Sequence, residues 1–395
     1  MDILILGGDG YLGWPTAMYL SARGHNVTVA DNYFRRNACT TLDVGMLYPV
    51  PTLIERAKIW HQHTGNEIKV ALGDLSDPEF MRSFFNGRVK YAWTATEKPS
   101  TAQPDTVLHY AEQPSAPYSL IDYKHANFTL QNNLLVTNNL LFALKDYSPE
   151  THVVHIGTMG EYGTPNIDIE EGWLEIEHKG RKGRFLYPRQ ASSLYHTSKI
   201  MDTDLMWFAV RMWGLSITDL MQGPVYGVET PESEIDHRLR SLFNYDEIFG
   251  TVINRFVVQG VTGYPLTIYG QGGQTRGYLN INDTLQCVEK SVLTPAGQGE
   301  LRIFNQIMET FSVSELAELT QRIGQARGHK VEIQHIENPR KEAEEHYYNP
   351  TYSGLVEIGV EPHYLTDNVM NSMFALVETY KENIRKDVIF RGIRW

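Results

Sequence analysis

The sequence predicts an α/β fold: a doubly wound parallel sheet of Rossmann type joined to a smaller α+β substrate-binding part. Three observations predict it. Short apolar runs alternate with longer helical runs through the first half of the chain, and strands joined by crossover helices form a parallel sheet covered on both faces. The first strand runs into a glycine-rich turn that opens a helix. After Gly223-Pro224 the rhythm breaks, with turn signals at Gly260, Gly263-Tyr264-Pro265, Gly270 and Gly272-Gly273, as a second assembly requires.

The elements follow in order. Ile3–Leu6 reads as a strand and Tyr11–Arg23 as a helix closed by Gly24, which tolerates the left-handed turn that ends a helix. Val27–Ala30 is the second strand, Thr52–His63 a helix and Ile68–Leu72 the third strand. A helix near Asp77–Phe85 precedes the fourth strand, Thr106–Tyr110, and a long helix, about Asp122–Lys145, leads to the fifth, His152–Ile156. Ser193–Trp213 is helical and Ser216–Leu220 is the sixth strand; later helices fall near Ser314–Arg327 and Asn368–Ile384.

Composition narrows the function. The chain has 395 residues, 42% hydrophobic and 21% charged, which excludes disordered, collagen-like and disulfide-scaffold proteins. A net charge of −12 argues against a nucleic-acid partner, which needs a basic footprint. Cys39 and Cys287 allow at most one disulfide and fit a reducing compartment. No cluster has zinc-ligand spacing, so no metal is expected. No apolar run is long enough for a membrane span. The opening Met1-Asp2-Ile3-Leu4 reads as a strand, not a signal peptide, so a cytoplasmic protein is expected.

Gly7-Gly8-Asp9-Gly10-Tyr11-Leu12-Gly13 carries the first chemical signal. Gly7 permits the tight turn, Gly10 lets backbone approach a pyrophosphate, and Gly13 lets the helix pack on the strand. The helix N-terminus then offers N–H groups to phosphates. Asp31 ends the second strand, where a carboxylate meets the adenine ribose and disfavours a 2′-phosphate, so NAD is expected over NADP; Arg35 and Arg36 temper that choice. Asp74-Leu75 after the third strand sit where they cap the adenine edge.

Tyr195 and Lys199, four apart in a helix, share one face. The ammonium favours ionisation of the phenol, whose ordinary pKa is about 10, and the phenolate is a general base. Tyr and Lys at this spacing are common, so the pair gains meaning only from Thr158 at the end of the fifth strand, whose hydroxyl can share the substrate proton.

The glycine loop, Asp31, Thr158 and the Tyr195/Lys199 pair follow the order of the extended short-chain dehydrogenases/reductases, which the chain resembles over its whole length. Within them, 7–14, Ala111-Glu112-Gln113, 157–169, 190–193, 272–278, Asn338-Pro339-Arg340 and 342–348 resemble the UDP-sulfoquinovose synthase family. The resemblance implies that UDP-glucose and sulfite give UDP-sulfoquinovose, for lipid or glycan, through oxidation at C4, loss of water across C5–C6, addition of sulfite and reduction at C4. It implies a tightly bound NAD regenerated each cycle, a formal grouping with hydrolases, and a homodimer through the Tyr195 helix and the long helix before it. It divides the chain into an NAD-binding 1–222, rejoined around 276–308, and a mainly nucleotide-sugar-binding 223–395.

Site residues follow from the same resemblance. Gly7, Gly10, Tyr11, Leu12, Gly13, Asp31, Asn32, Arg35, Asp74, Leu75, Asn132, Gln222 and Val225, with Tyr195 and Lys199, would border NAD. Gln113, Thr158, Tyr195, Gln222, Asn254, Arg255, Thr267, Tyr269, Arg276 and Arg340 would meet the nucleotide sugar, since guanidinium forks suit a diphosphate. Related 4,6-dehydratases carry Thr-Asp-Glu where this chain has Thr158-Met159-Gly160. Elimination therefore needs another group: His196 and Glu161 are the candidates, and Met159 would line the C6 pocket. The alternatives are an NAD-dependent nucleotide-sugar epimerase or 4,6-dehydratase, or a catalytically silent dinucleotide-binding protein.

Overall fold

Alternate side chains of the first strand enter different cores, and this sets the architecture. In β1 (Asp2–Leu6), Ile3 and Ile5 pack to one side, and Leu4 and Leu6 to the other. A sheet apolar on both faces must be covered on both. The computed structural model describes residues 1–96, 103–338 and 347–392. After β1 come α1 (Gly13–Ala22), β2 (Asn26–Asp31), α2 (Phe34–Thr41), α3 (Leu53–Thr64), β3 (Ile68–Leu72), α4 (Pro78–Ser83), β4 (Thr106–His109), α5 (Tyr123–Tyr147) and β5 (His152–Thr158). An antiparallel hairpin, β6 (Trp173–His178) and β7 (Arg181–Leu186), precedes α6 (Leu194–Trp213) and β8 (Ile217–Gln222).

The remainder runs β9 (Val225–Tyr226), α7 (Val252–Thr262), β10 (Leu266–Tyr269), β11 (Thr275–Asn280), α8 (Ile281–Leu293), β12 (Leu301–Gln306), β13 (Glu309–Ser312), α9 (Val313–Ala326), β14 (Ile333–Ile336), α10 (Gly354–Glu357) and α11 (Asp367–Thr379). Seven strands form one parallel sheet in the order β12-β8-β5-β4-β1-β2-β3. The doubly wound sheet is thus as predicted. Side chains of α1, α3 and α8, such as Trp14, Trp60 and Leu285, fill one core; Met81, Leu140 and Met206 from α4, α5 and α6 fill the other. A third core gathers Phe256, Leu316 and Phe374 from α7, α9 and α11.

The strand order reverses between β1 and β4, which opens a crevice at their C-terminal ends. The six expected strands are present, but β12, α2, α7, α8 and the β6–β7 hairpin were not foreseen. In β12 the string Leu-Arg-Ile-Phe-Asn-Gln has weak apolar periodicity, because Asn305 and Gln306 are buried through hydrogen bonds instead. Among the described residues, no helix is long and apolar enough to cross a membrane.

Candidate active site

The crevice is a cavity of about 860 Å³. The β1–α1 loop and the ends of β2 and β3 contribute Gly7, Gly10, Tyr11, Leu12, Gly13, Asp31, Asn32, Arg35, Asp74 and Leu75. From the other half of the sheet and α5–α6 come Asn132, Thr158, Met159, Tyr195, His196, Gln222 and Val225. Arg255, Thr267, Tyr269 and Arg276 complete the wall from the second half of the chain. The structure brings these residues together around one cavity. Gln113, Glu161, Lys199 and Asn254 are not on the lining, and Arg340 lies outside the described residues.

The glycine loop has the shape a dinucleotide needs. Gly7 has a φ of +89°, and a Cβ there would lie 2.7 Å from the Tyr110 carbonyl carbon; one on Gly13 would lie 2.1 Å from the Gly7 oxygen. No side chain caps the N-terminus of α1; the Trp14 N–H reaches the Gly10 carbonyl at 3.5 Å, the Thr16 N–H reaches the Leu12 carbonyl at 3.1 Å and Pro15 has no N–H, so the Gly13 N–H is the one this first turn offers a phosphate. Asp9, whose role the sequence did not reveal, fixes this loop. Its carboxylate accepts from Arg56 Nη2 at 2.6 Å and from Arg36 Nε and Nη2 at 2.6 and 2.9 Å. Arg56 is fully buried with its guanidinium over Trp14.

Asp31 accepts the Asp9 N–H at 2.8 Å and the Tyr33 N–H at 2.7 Å, so one carboxylate joins the loop to the end of β2. Burial, reinforced by the Asp9 charge, pushes it up to about 6. Neither nearby arginine projects freely. Arg36 also donates to the Val50 and Pro51 carbonyls, and Arg35 bonds Asn244 and the Phe249 carbonyl and stacks on the Phe249 ring.

The reaction centre rests on a row of titratable groups across the sheet. His109 on β4, His155 on β5 and Asp219 on β8 are successive register partners. His155 Nδ1 lies 2.8 Å from Asp219 Oδ1, and its Nε2 lies 2.7 Å from the Lys199 Nζ. Lys199 also donates to Glu112 Oε1 at 2.5 Å and stands 3.9 Å from Asp202. Glu112, His155 and Asp202 are grouped like metal ligands, but the Lys199 ammonium stands among them.

These contacts set the charges. Burial alone would lower Lys199; Glu112 and Asp202 outweigh it and hold the ammonium charged. Burial and Lys199 press His155 down, but Asp219 and the Glu112 hydrogen bond lift it to about 9. Burial and the Glu112 charge raise Asp202 to about 8. Tyr195 departs from expectation: burial pushes its phenol upward, Lys199 offsets part of that, and Glu112 adds to it.

His196 occupies an informative place. Ser193 caps α6 by accepting the His196 N–H at 3.1 Å, and His196 Nδ1 lies 3.1 Å from the Ser193 hydroxyl and 3.2 Å from that of Ser192. The ring lies on Gly160, where a Cβ would sit 2.3 Å from Nε2. Any side chain at 160 would displace the imidazole. Glu161 instead points beneath the cavity floor. Its Oε1 accepts the Thr158 N–H at 3.2 Å, and its Oε2 faces Arg189 at 3.3 Å. Burial, opposed by Arg189, raises it to about 7.

Gln113 is fully buried and holds the loop after β4: its amide donates to the Ser115 carbonyl and the Thr129 hydroxyl, each at 2.9 Å. Its backbone N–H donates to Asn133 Oδ1 at 2.9 Å. Asn254 is buried beside Tyr11, whose phenol it hydrogen-bonds. Asp9, Arg56, Glu112, His155 and Asp219 are not among the site residues expected from the sequence. The readable signal was a charge inside an apolar strand, as in His152-Val-Val-His155-Ile and Ile217-Thr-Asp219-Leu, since buried ionisable groups need partners.

Residues 3–305 match the model of the NAD dependent epimerase/dehydratase family. The chloroplastic UDP-sulfoquinovose synthase of Spinacia oleracea is 45% identical over 393 residues, 100% of this chain and 79% of that protein. The UDP-sulfoquinovose synthase of Sulfolobus acidocaldarius is 39% identical over 398 residues, 100% of this chain and 98% of that protein. Among solved structures, UDP-glucose 4-epimerase from Bifidobacterium longum in complex with NAD+ and UDP shares the fold, with a TM-score of 0.69 and 19% identity over 97% of this chain and 99% of that one. The expected grouping with hydrolases is overturned, because a synthase in an epimerase/dehydratase family is not a hydrolytic enzyme. By these matches the chain belongs to the NAD dependent epimerase/dehydratase family and, within it, to the UDP-sulfoquinovose synthases.

Proposed function

We propose that this enzyme converts UDP-glucose and sulfite to UDP-sulfoquinovose, with an NAD that stays bound and is restored in each cycle. The observation that carries the reading is the His196 ring on Gly160. A dehydratase of the Thr-Asp-Glu type would project its glutamate from that position; here an imidazole fills the volume. NAD fits the uncapped α1 terminus, the Gly7/Gly13 cradle and Asp31, and when bound it supplies the hydride acceptor and donor at C4. Residues 1–222, with the return around 276–308, would hold NAD, and 223–395 mainly the nucleotide sugar.

Tyr195 takes the proton of the 4-hydroxyl, and the Thr158 hydroxyl orients that oxygen. The C4 ketone acidifies C5–H. His196 removes that proton and protonates the departing C6 hydroxyl, which leaves as water and gives a C5=C6 double bond. The sulfur lone pair of bisulfite then forms the C6–S bond while its acidic hydrogen passes to His196, His196 delivers that proton to C5, and Tyr195 returns its proton to O4 as C4 is reduced. Met159 walls the C6 side without entering proton transfer. Arg255 and Arg276 bind the diphosphate.

Exposed Leu135 and Phe142 on α5, and Met201, Phe208 and Met212 on α6, support a homodimer through these helices; a monomeric mass in sedimentation would remove that part. Two buried free cysteines fit a cytoplasmic setting.

The purified protein incubated with UDP-glucose and sulfite should yield a UDP-sugar sulfonate by mass spectrometry. A 4-keto-6-deoxy sugar without sulfite would identify a dehydratase, and UDP-galactose an epimerase; either defeats the reading. His196→Ala should leave C4 oxidation intact and lower sulfonate formation about 10²-fold or more. Product at the wild-type rate removes His196 from the elimination.

A further inference from the structure

The proposed reaction leaves a charged wall residue of the cavity unused. Glu112, three residues beyond His109, lines the cavity while Lys199 lies behind it. Its Oε1 is 2.5 Å from Lys199 Nζ and 3.1 Å from His155 Nε2. Its Oε2 has no hydrogen-bond partner among the described residues.

We infer that Glu112 is a positioning residue: it draws the Lys199 ammonium into the buried His155–Asp219 row and so limits the positive charge that reaches Tyr195 one helical turn away. This rests on the reading of Tyr195 as the base at O4. Glu112 Oε1 is shared by the ammonium at 2.5 Å and His155 Nε2 at 3.1 Å, so one carboxylate holds both cations. His155 is itself anchored by Asp219, which accepts from Thr203 at 2.9 Å. The other groups facing the ammonium are His109 from β4, Asp202 from α6 and, through Thr203, Glu161 from the turn after β5.

The sign follows from charge. Lys199 favours the phenolate, and the Glu112 carboxylate opposes it. Neutralising Glu112 makes Tyr195 easier to ionise, so the acidic limb of a Tyr195-dependent step moves to lower pH. Asp202, raised by burial and Glu112 together, ionises more readily in that variant and limits the shift.

The test mixes the full-length NAD-loaded protein with UDP-glucose, without sulfite, and follows the absorbance of reduced nicotinamide against pH. Glu112→Gln should move the acidic limb down by about one pH unit. Glu112→Asp, which keeps the charge but withdraws it by one methylene, should fall between that variant and wild type. In parallel, the His155 imidazole, titrated by NMR, should drop below its wild-type midpoint in Glu112→Gln. A limb that stays at the wild-type pH in both variants, with the His155 midpoint moved, overturns the inference. No reduced cofactor in the wild type at any pH overturns it together with the base assignment. The expected shift without a sulfonated sugar on adding sulfite would support the inference and defeat the proposed overall reaction.

Discussion

Tyr195→Phe should lower turnover of UDP-glucose by about 10²–10⁴-fold, the usual contribution of a positioned general base, with little change in stability. The contacts that hold the residue do not involve its hydroxyl. The Tyr195 N–H donates to the Ser119 hydroxyl at 3.2 Å, and the ring lies 5.2 Å from that of His196. Phenylalanine keeps both. Rapid mixing of the NAD-loaded variant with UDP-glucose measures the first chemical step, and thermal unfolding checks the fold. A variant that oxidises the sugar at the wild-type rate would exclude Tyr195 as the base.

The largest effect on stability is expected at Asp9. Asp9→Ala removes the anion 2.6 Å from Arg56 Nη2, on a guanidinium with no exposed surface whose Nε and Nη1 have no hydrogen-bond partner among the described residues. Burial already pulls Arg56 down to about 10 with Asp9 beside it. Breaking a buried pair at one partner typically costs about 3–5 kcal/mol. Urea unfolding of the cofactor-free protein measures it. Asp9→Ala/Arg56→Met should recover most of the loss, because the cost lies in the stranded cation. If the single variant unfolds at the wild-type urea concentration, the pair has no structural weight. The same substitution frees the loop that the two arginines hold, so the purified single variant should also retain less NAD.

The two results bear on one design feature. The glycine turn has little side chain with which to fix its own shape. Asp9 supplies that fixity from within the turn, through Arg36 and Arg56 on α2 and α3. A rigid cradle binds a phosphate without paying to order itself on binding, which suits a cofactor that must stay while the sugar passes through oxidised intermediates.

Much of the fold was legible because it rests on local rules. Period-two apolar runs, a glycine turn before a helix and Gly24 after Arg23 are each readable within a few residues. The second half was less legible. Its strands β9, β10, β11 and β13 are two to six residues long, and they pair across long sequence separations, so periodicity had little to act on. The family resemblance located Thr158, Tyr195 and His196 on the cavity wall, but it also suggested Gln113 and Glu161, whose side chains face inward to hold the loop and Thr158. A motif marks a residue as constrained without saying which way its side chain turns.

The sequence by itself determined the parallel sheet, the dinucleotide loop, the Tyr195/Lys199 pair and the missing acids after Thr158. These are properties of neighbours along the chain, where sterics and helical spacing act directly. Only the tertiary structure decided how the charges are shared. His109, His155 and Asp219 come from three strands, and Glu112 and Lys199 from a loop and a helix. They meet because parallel pairing fixes their register, and out of water an ionised group is held by whichever counter-charge the packing brings within reach. Whether Lys199 serves Tyr195 alone or is held between Tyr195 and Glu112 is therefore settled by distance in space, which spacing along the chain does not encode.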